Sequence, residues 1–283
     1  MRIDLHSHST ASDGTDPPAE VMRRARAAGL DVIALTDHDT LAGHDEARRA
    51  LPPGLALVPG MELSGRLGGH SVHLLAYHVD PAHAGLAEQL AAITTDRLRR
   101  GQDMVARLRE LGVDVTWEQV AAIAGGGVVA RPHIARAMVE AGAIARPEQA
   151  FTPEWIGAGG RAYVSRYALD PEEAIRLVSA AGGVSVLAHP GLAERGWVID
   201  DDTVERLAGA GLGGLEVYHP DQDDAQRLRL AGLAAALGLV ASGGSDDHGA
   251  LTGHRLGSET IAPAEYERLM SLAARAVRGG EQN

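Results

Sequence analysis

The stretch RIDLHSHSTASDG at residues 2–14 begins with a short apolar run and continues with side chains of the kind that bind metal ions. The run at residues 2–5 has the length and apolar character of a strand buried on both faces. Two imidazoles follow it, at His6 and His8, and residues two apart on an extended backbone point to the same side. The stretch therefore predicts a strand that ends in paired metal ligands.

Similar apolar runs recur along the chain. Further candidate strands lie at residues 31–35, 55–58, 71–77, 184–188, 214–218 and 239–242, and all of these except 71–77 are almost wholly apolar. Helical patterns alternate with the runs, and one of them begins with the cap Asp170 and ends before Gly182. Seven strands alternating with helices predict an α/β fold, and we prefer a parallel β/α barrel to an open doubly wound sheet.

The segment at residues 96–162 departs from this alternation, because it contains consecutive helical patterns and no convincing strand. One helix extends to Leu111, a second covers residues 116–124 and starts with a Thr-x-x-Gln capping box, and a third covers residues 132–141. We expect a small inserted helical subdomain at residues 96–162, with residues 1–95 and 163–283 forming the barrel.

The composition excludes several kinds of chemistry. The chain has 283 residues with 13 histidines, no cysteine and 26 basic residues, all of them arginine. Disulfides, thiolate metal sites, cysteine nucleophiles, Schiff-base lysines and P-loop lysines are therefore excluded. The formal net charge of −12 does not favour a general coat of nucleic acid. The N-terminus does not resemble a secretory signal and no apolar run is long enough to span a bilayer, so we expect a cytoplasmic protein without a membrane partner.

Ligand-type side chains follow or belong to every candidate strand. The carboxyl ends of parallel strands meet at one rim, where β/α folds assemble their active sites. On the fourth strand we prefer His73 to His78, because His73 faces away from its apolar neighbours. The candidate metal ligands are His6, His8, Asp13, His38, Glu62, His73, His189, Asp246 and His248.

Nine nitrogen and oxygen ligands are too many for a single catalytic ion, which needs about three protein ligands and a water. They are sufficient for two or three divalent ions, and a carboxylate such as Glu62 is suited to bridge them. A donor set without sulfur suits manganese, zinc or iron.

DLHSHSTASDG, ALTDHDTLAG, the segment with Glu62, VLAHPG and SGGSDDHG occur in an order and spacing that resemble the motifs of the polymerase and histidinol phosphatase (PHP) family of metal-dependent phosphoesterases. The resemblance covers the whole chain and points most closely to the branch that includes nucleoside 3′,5′-bisphosphate phosphatases and a 5′-to-3′ exoribonuclease. It implies a distorted (β/α)7 barrel with a helical insertion and a trinuclear site, with manganese as the expected ion. One departure is Asp247, where many relatives have an apolar or aromatic residue.

The resemblance also implies how the ligands divide among three ions. The first set is His6, His8, Glu62 and Asp246; the second is Glu62, His73 and His189; the third is Asp13, His38 and His248. Bound ions lower the pKa of a bridging water, so that hydroxide attacks the phosphate at neutral pH and no protein nucleophile is needed.

Phosphate recognition beyond the metal ions must use arginine, because the chain has no lysine. The candidate substrate-binding residues are Arg97, Arg100, Arg131 and His133. His219 follows the sixth strand, and we expect it to contact the substrate or to donate a proton to the leaving oxygen, with Asp246 as the other catalytic residue.

The function we expect is hydrolysis of phosphomonoesters of small nucleotides, such as the 3′-phosphate of nucleoside 3′,5′-bisphosphates. A 5′-to-3′ exoribonuclease acting on short RNA ends is the second hypothesis, and a histidinol-phosphate-type phosphatase is the third. A metal-binding regulatory protein is the alternative without enzymatic activity. The intact set of nine ligands argues against it, because a decayed site would have lost some of them.

Overall fold

The computed structural model describes residues 1–125, 129–193 and 196–280, with side chains up to residue 274. The chain divides into two compact units, one formed by residues 1–88 and 168–283 and the other by residues 89–167. The whole of the predicted insertion at residues 96–162 lies in the second unit.

The first unit is built on seven strands that form one sheet in the order of the chain. The strands are β1 Ile3–Asp4, β2 Val32–Leu35, β3 Ala56–Leu67, β4 His70–Tyr77, β5 Val184–Leu187, β6 Gly214–Tyr218 and β7 Val240–Gly243. The two edges of the sheet approach each other, since the backbone N–H of Leu5 donates to the carbonyl of Gly243 across 3.3 Å and Ser7 forms a parallel bridge with Asp247. The predicted distorted barrel of seven strands is confirmed.

One strand runs against the others. β1, β2 and β3 are parallel neighbours, as are β5, β6 and β7, but β4 is antiparallel to both β3 and β5. β3 and β4 form a hairpin whose turn, Gly68 and Gly69, has φ values of 56° and 93°, a left-handed conformation that glycine adopts without strain. The expectation that all seven strands would be parallel is therefore wrong for β4.

β3 is also longer than the sequence predicts. The sequence predicts a strand at residues 55–58, whereas β3 continues to Leu67. Gly60 is there for close packing rather than for a turn, because a Cβ at this position would lie 2.9 Å from the ring of Tyr77. Glu62 consequently lies within a strand and not beyond its end.

The helices are α1 Pro18–Ala27, α2 His44–Arg49, α3 Ala84–Glu110, α4 Trp117–Ile123, α5 Arg131–Glu140, α6 Pro171–Ala180, α7 Asp201–Gly209, α8 Asp224–Leu237 and α9 Pro263–Gly280. The predicted caps are present: the Asp170 side chain accepts backbone N–H groups at the start of α6, and Thr116 and Gln119 form the capping box of α4. In the part of the chain that the structure describes, none of the helices has both the length and the apolar character needed to cross a bilayer.

A packed apolar layer supports the carboxyl ends of the strands. Leu5, Leu75, Tyr77 and Val186 are buried in one cluster, and the Tyr77 hydroxyl donates to the carbonyl of Leu5 across 2.8 Å. Burying each of these large side chains stabilises the fold by about 1.5–3 kcal/mol. Leu5 directly precedes His6, so this layer fixes the position at which the polar residues begin. The second unit has its own core, which includes Met104, Leu108, Val120, Ile134 and Met138.

Candidate metal centre

The structure brings all nine predicted ligands into one cluster within the first unit. Glu62 lies at its centre and is almost completely buried. Its Oε2 is 3.2–3.3 Å from ring nitrogens of three histidines, namely His6, His8 and His38. Its Oε1 is 2.8 Å from Nδ1 of His73 and 3.2 Å from Nε2 of His189. One carboxylate therefore contacts five imidazoles, divided between its two oxygens.

The first group of converging atoms comes from His6, His8, Glu62 and Asp246. Oδ1 of Asp246 is 3.2 Å from Nε2 of His6 and 3.3 Å from Nε2 of His8. His6 and His8 follow β1, Glu62 lies within β3 and Asp246 follows β7, so the group forms only where the two edges of the sheet meet. It contains the same four residues that the family resemblance implied.

The second and third groups differ in part from the expected sets. Glu62 and His73 converge with His38, while His189 contacts Glu62 and the ring of His73 without being one of the converging residues. Asp13, His38 and His248 converge as expected, and His8 joins them. Nε2 of His248 is 3.3 Å from Oδ1 of Asp13. His8 and His38 therefore each belong to two groups.

The geometry of the cluster fits divalent ions. Within the cluster, four buried atoms have no hydrogen-bond partner of acceptable geometry among the described residues: His8 Nδ1, His38 Nδ1, His73 Nδ1 and Asp246 Oδ1. Orphaned buried polar atoms are costly unless they bind something else. Two ligands of an ion at ~2.1 Å are separated by about 3.0–3.4 Å, and several of the spacings around Glu62 fall in that range.

The electrostatics of the cluster are those of a site with imidazoles and carboxylates packed together. Burial opposes ionisation of Glu62 and Asp246, but the surrounding imidazoles hold both pKa values well below the usual range. Burial also opposes charge on His8, yet the attraction of these carboxylates raises its pKa to about 10. The pKa of His38 falls to about 4, because burial and the neighbouring imidazoles outweigh the carboxylates. Without a metal ion the cluster therefore holds protons on some rings and excludes them from others.

Two residues of the cluster have unusual backbone conformations. His189 has φ 31° and Asp246 has φ 47°, and neither is a glycine. Such conformations cost of order 1–3 kcal/mol and persist only where the surrounding structure imposes them. The segment that leads to Asp246 also packs closely against the backbone of His6, since a Cβ on Gly244 would lie 2.5 Å from the backbone nitrogen of His6. The backbone conformation at these residues therefore positions ligands of the cluster at a cost in local stability.

Three residues with a supporting role were not singled out from the sequence. Glu216 on β6 accepts a hydrogen bond from Nδ1 of His6 and another from the backbone N–H of His189. Asp4 accepts three backbone N–H groups, and Arg255 contacts the segment with Asp246. The detectable indication for Glu216 was a charged residue inside an apolar strand, which is unusual unless the charge has a partner.

Asp37 and Asp247 shape the loops that carry ligands. Asp37 accepts hydrogen bonds from the backbone and hydroxyl of Ser9 and from the hydroxyl of Ser12, which fixes the loop before Asp13. Asp247, the departure from the family pattern, is buried and accepts from the backbone N–H groups of residues 249 and 255. Its carboxylate thus satisfies backbone donors of the segment that follows it.

His219 contacts the cluster through Asp246. Its Nδ1 accepts the backbone N–H of Asp221 across 3.1 Å, so its proton resides on Nε2. Nε2 is 3.2 Å from Oδ2 of Asp246, to which it donates. His78, by contrast, lies at the other end of β4 and its ring contacts Met270. The preference for His73 agrees with this placement, because β4 runs antiparallel and its first residues reach the ligand end.

The predicted substrate-binding residues Arg97, Arg100, Arg131 and His133 lie in the second unit. The Arg100 guanidinium lies over the Tyr163 ring and donates to the carbonyl of Val164. Burial and the nearby charges of Arg131 and Arg166 lower the pKa of Arg100 to about 10.

The other two residues of this set have defined surroundings. Arg131 lies over the Phe151 ring. Nδ1 of His133 accepts the backbone N–H of Ala130 at the start of α5, so Nε2 carries its proton. Substrate binding by all four residues stays a prediction.

Comparison with known proteins gives a consistent picture. The model of the PHP domain matches residues 4–97. A 5′-3′ exoribonuclease of Salmonella typhimurium is 35% identical over 93% of this chain and 91% of its own length. A 3′,5′-nucleoside bisphosphate phosphatase of Chromobacterium violaceum is 34% identical over 87% of both chains. A solved structure described as a metal-dependent phosphoesterase of Bifidobacterium adolescentis superposes with a TM-score of 0.87 at 35% identity, covering 95% of this chain and 96% of that one.

Proposed function

This chain belongs to the PHP family of metal-dependent phosphoesterases, and on that basis we propose that it hydrolyses phosphomonoesters of small nucleotides, such as the 3′-phosphate of nucleoside 3′,5′-bisphosphates. The observation that carries the proposal is the buried carboxylate of Glu62, whose two oxygens face separate sets of imidazoles. A carboxylate in that position is suited to bridge ions in a site with more than one metal.

We infer that the nine residues of the cluster hold three divalent ions, with manganese preferred to zinc or iron. Ions bound there supply hydroxide at neutral pH for attack on phosphorus and positive charge to offset the charge that develops on the phosphoryl oxygens. The protein supplies the rest. Glu216 holds the His6 ring with its proton on Nδ1, and the carbonyl of Asp246 does the same for His248, which leaves Nε2 of each ring available as a ligand.

His219 and Asp246 are the residues we propose to take part in catalysis. The Nε2 proton of His219 faces Oδ2 of Asp246, and from this position His219 can contact the substrate. To pass a proton to the leaving oxygen, the ring must first take up a second proton on Nδ1 in place of the hydrogen bond from the Asp221 backbone, so that it returns to the neutral form after the transfer. A nucleoside alkoxide is a poor leaving group, so a proton delivered to it during bond breaking lowers the barrier.

Arg97, Arg100, Arg131 and His133 are proposed to bind a phosphate of the substrate that is not being hydrolysed. The planar guanidinium pairs with phosphate through two hydrogen bonds, and Arg100 and Arg131 are held against aromatic rings that limit their freedom. On this proposal R100M and R131M raise the KM for adenosine 3′,5′-bisphosphate and leave hydrolysis of p-nitrophenyl phosphate unchanged.

The test is release of inorganic phosphate from adenosine 3′,5′-bisphosphate by protein reconstituted with Mn²⁺. We expect turnover that is lost on chelation and restored by Mn²⁺, and that is abolished in D246A. Release at the level of the buffer control, or undiminished release by D246A, would overturn the proposal.

A 5′-to-3′ exoribonuclease acting through the same site is the second candidate, and the similarity to the Salmonella typhimurium enzyme over most of the chain favours it. A short RNA labelled at its 3′ end distinguishes the two activities. An exoribonuclease produces a ladder of shortened labelled products, whereas a phosphatase confined to bisphosphates leaves the oligonucleotide intact.

A further inference from the structure

Arg255 follows the last ligand-bearing loop and contacts Asp246 from outside the cluster. Nη2 donates to the backbone carbonyl of Asp246 across 3.1 Å and lies 3.6 Å from its carboxylate Oδ2. Nη1 donates to Oδ2 of Asp221 across 2.9 Å, and the backbone N–H of Arg255 donates to Asp247. With a side chain only 18% exposed, Arg255 is held on three sides within the protein.

The carbonyl that Arg255 contacts is important for two candidate ligands. It belongs to Asp246, whose left-handed backbone directs the carboxylate into the cluster. The same carbonyl accepts Nδ1–H of His248 across 3.1 Å. A carbonyl that accepts from a ligand imidazole fixes both the ring orientation and the position of its proton. A displacement of this carbonyl therefore alters both Asp246 and His248.

The contacts close a ring of four residues around the Asp246 side chain. Asp246 accepts from His219, His219 accepts the backbone N–H of Asp221, and the carboxylate of Asp221 accepts from Arg255, which returns to Asp246. Oδ2 of Asp246 lies on this ring, while Oδ1 faces His6 and His8 and has no hydrogen-bond partner among the described atoms. The two oxygens of the Asp246 carboxylate therefore have different surroundings: Oδ2 is held by the ring of contacts, and Oδ1 faces the cluster.

We propose that Arg255 is a positioning residue for the metal centre: together with Asp221 it holds the strained Asp246 peptide, so that Oδ1 of Asp246 and Nε2 of His248 are presented to the ions. Arg255 itself touches neither substrate nor metal in this proposal. The inference rests on the proposed metal site and is independent of which phosphoester is hydrolysed.

The test is titration of chelator-treated protein with Mn²⁺ in a calorimeter, which needs no substrate. Outer residues that orient ligands typically change metal affinity about 10–100-fold when they are lost. We expect R255M to weaken at least one Mn²⁺ site by about 10-fold or more. R255K should recover part of that loss, because a lysine can reach either the carbonyl or Asp221 but cannot form the guanidinium's paired contacts.

R229M is the matched control. Arg229 also joins a backbone carbonyl, that of Ile199, to an aspartate, Asp201, but does so away from the nine ligands. Its substitution should leave the Mn²⁺ affinity unchanged. Equal losses in R255M and R229M would overturn the proposal, as would Mn²⁺ binding by R255M with the affinity and stoichiometry of the parent protein.

D221A decides the matter if R255M does not fold. Asp221 is largely exposed, and its substitution removes the second partner of Arg255 while retaining the backbone N–H that contacts His219. We expect a weaker Mn²⁺ site in D221A at an unchanged melting temperature, and a double variant no worse than R255M alone. Mn²⁺ binding by D221A equal to that of the parent protein, together with an unfolded R255M, would contradict the positioning role.

Discussion

Nδ1 of His6 donates a hydrogen bond to Oε1 of Glu216 across 2.9 Å, and both side chains are completely buried. This contact directs Nδ1 toward Glu216 and Nε2 toward Glu62 and Asp246, so that Nε2 is the nitrogen available to a metal ion. Oε2 of Glu216 accepts the backbone N–H of His189, whose backbone is left-handed. One carboxylate therefore orients two candidate ligands that enter the cluster from different strands.

E216Q tests this relationship with almost no change in shape. A glutamine can satisfy His6 or the His189 backbone with its single oxygen, but its amide group then faces the other donor. We expect the Mn²⁺ affinity to fall by about 10–100-fold, the range found for outer-shell carboxylates. Calorimetric titration measures it, and E205Q on the exposed face of α7 is the matched control. An E216Q protein with the parent affinity would contradict the assigned role.

E62Q removes the charge from the centre of the cluster. An amide nitrogen has no lone pair for a metal ion or a hydrogen-bond donor. In E62Q, therefore, only one of the two sets of imidazoles around this residue still faces an oxygen that can bind an ion. We expect the metal content to fall by at least one ion per chain and the activity to fall by more than the ~100-fold that outer-shell changes reach. Elemental analysis of the dialysed protein and phosphate release from the same sample give both quantities. Full metal content in E62Q would exclude a bridging position.

Protons and metal ions should compete for His8. Neighbouring carboxylates raise its pKa to about 10 in the metal-free protein, against ~6.5 in an unfolded chain, although burial opposes this. A raised histidine pKa contributes stability that is complete below pH ~6.5 and is lost as the pH rises toward the folded value. The contribution of His8 to the stability of the metal-free protein should therefore decrease between pH 7 and pH 10.

The loaded protein should not follow that trend, because binding requires the deprotonated ring and releases the proton. We expect the gap in melting temperature between Mn²⁺-loaded and chelated protein to widen with pH. At a free Mn²⁺ concentration of one hundred times Kd the stabilisation is about 2.7 kcal/mol, or roughly 5–10 °C for a chain of this size. Scanning calorimetry from pH 6 to pH 9 checks it, and a gap that narrows with pH would contradict the prediction.

H219Q tests proton donation by comparing two leaving groups. If Nε2–H of His219 protonates the leaving oxygen, its loss slows release of a nucleoside alkoxide by the ~10²–10⁴-fold typical of general acids. p-Nitrophenolate leaves without protonation, so hydrolysis of p-nitrophenyl phosphate should fall much less. The ratio of kcat for the two substrates is the measurement. Equal losses for both would assign His219 to holding Asp246 alone.

Much of the fold and the cluster could be predicted from the sequence, because both follow from where apolar runs stop. His6 and His189 directly follow such runs and Asp246 lies a few residues after one, and strands of one sheet place such residues at a common rim. The direction of β4 could not be predicted, since an alternating pattern is the same in either direction. His73 was identified by the face it occupies, which does not depend on the direction of the strand.

The supporting contacts depend on long-range geometry that no local pattern encodes. Glu216 is 210 residues from its partner His6. Only closure of the sheet brings them together, so spacing could not reveal the pair. The role of Arg255 likewise depends on its contact with the carbonyl of Asp246, a residue with a left-handed backbone. The folded environment imposes this conformation on a non-glycine residue, so the sequence does not show it.

The meeting of β1 and β7 also determines when the centre can exist during synthesis. His6 and His8 leave the ribosome before the other candidate ligands, whereas Asp246 and His248 leave after them. A nascent chain therefore carries these two imidazoles without Asp246 and His248 until the segment that follows β7 has been released. The complete site can therefore bind its ions only late in synthesis. A chain arrested before β7 lacks two of the nine candidate ligands, so it has an incomplete site rather than a less active one.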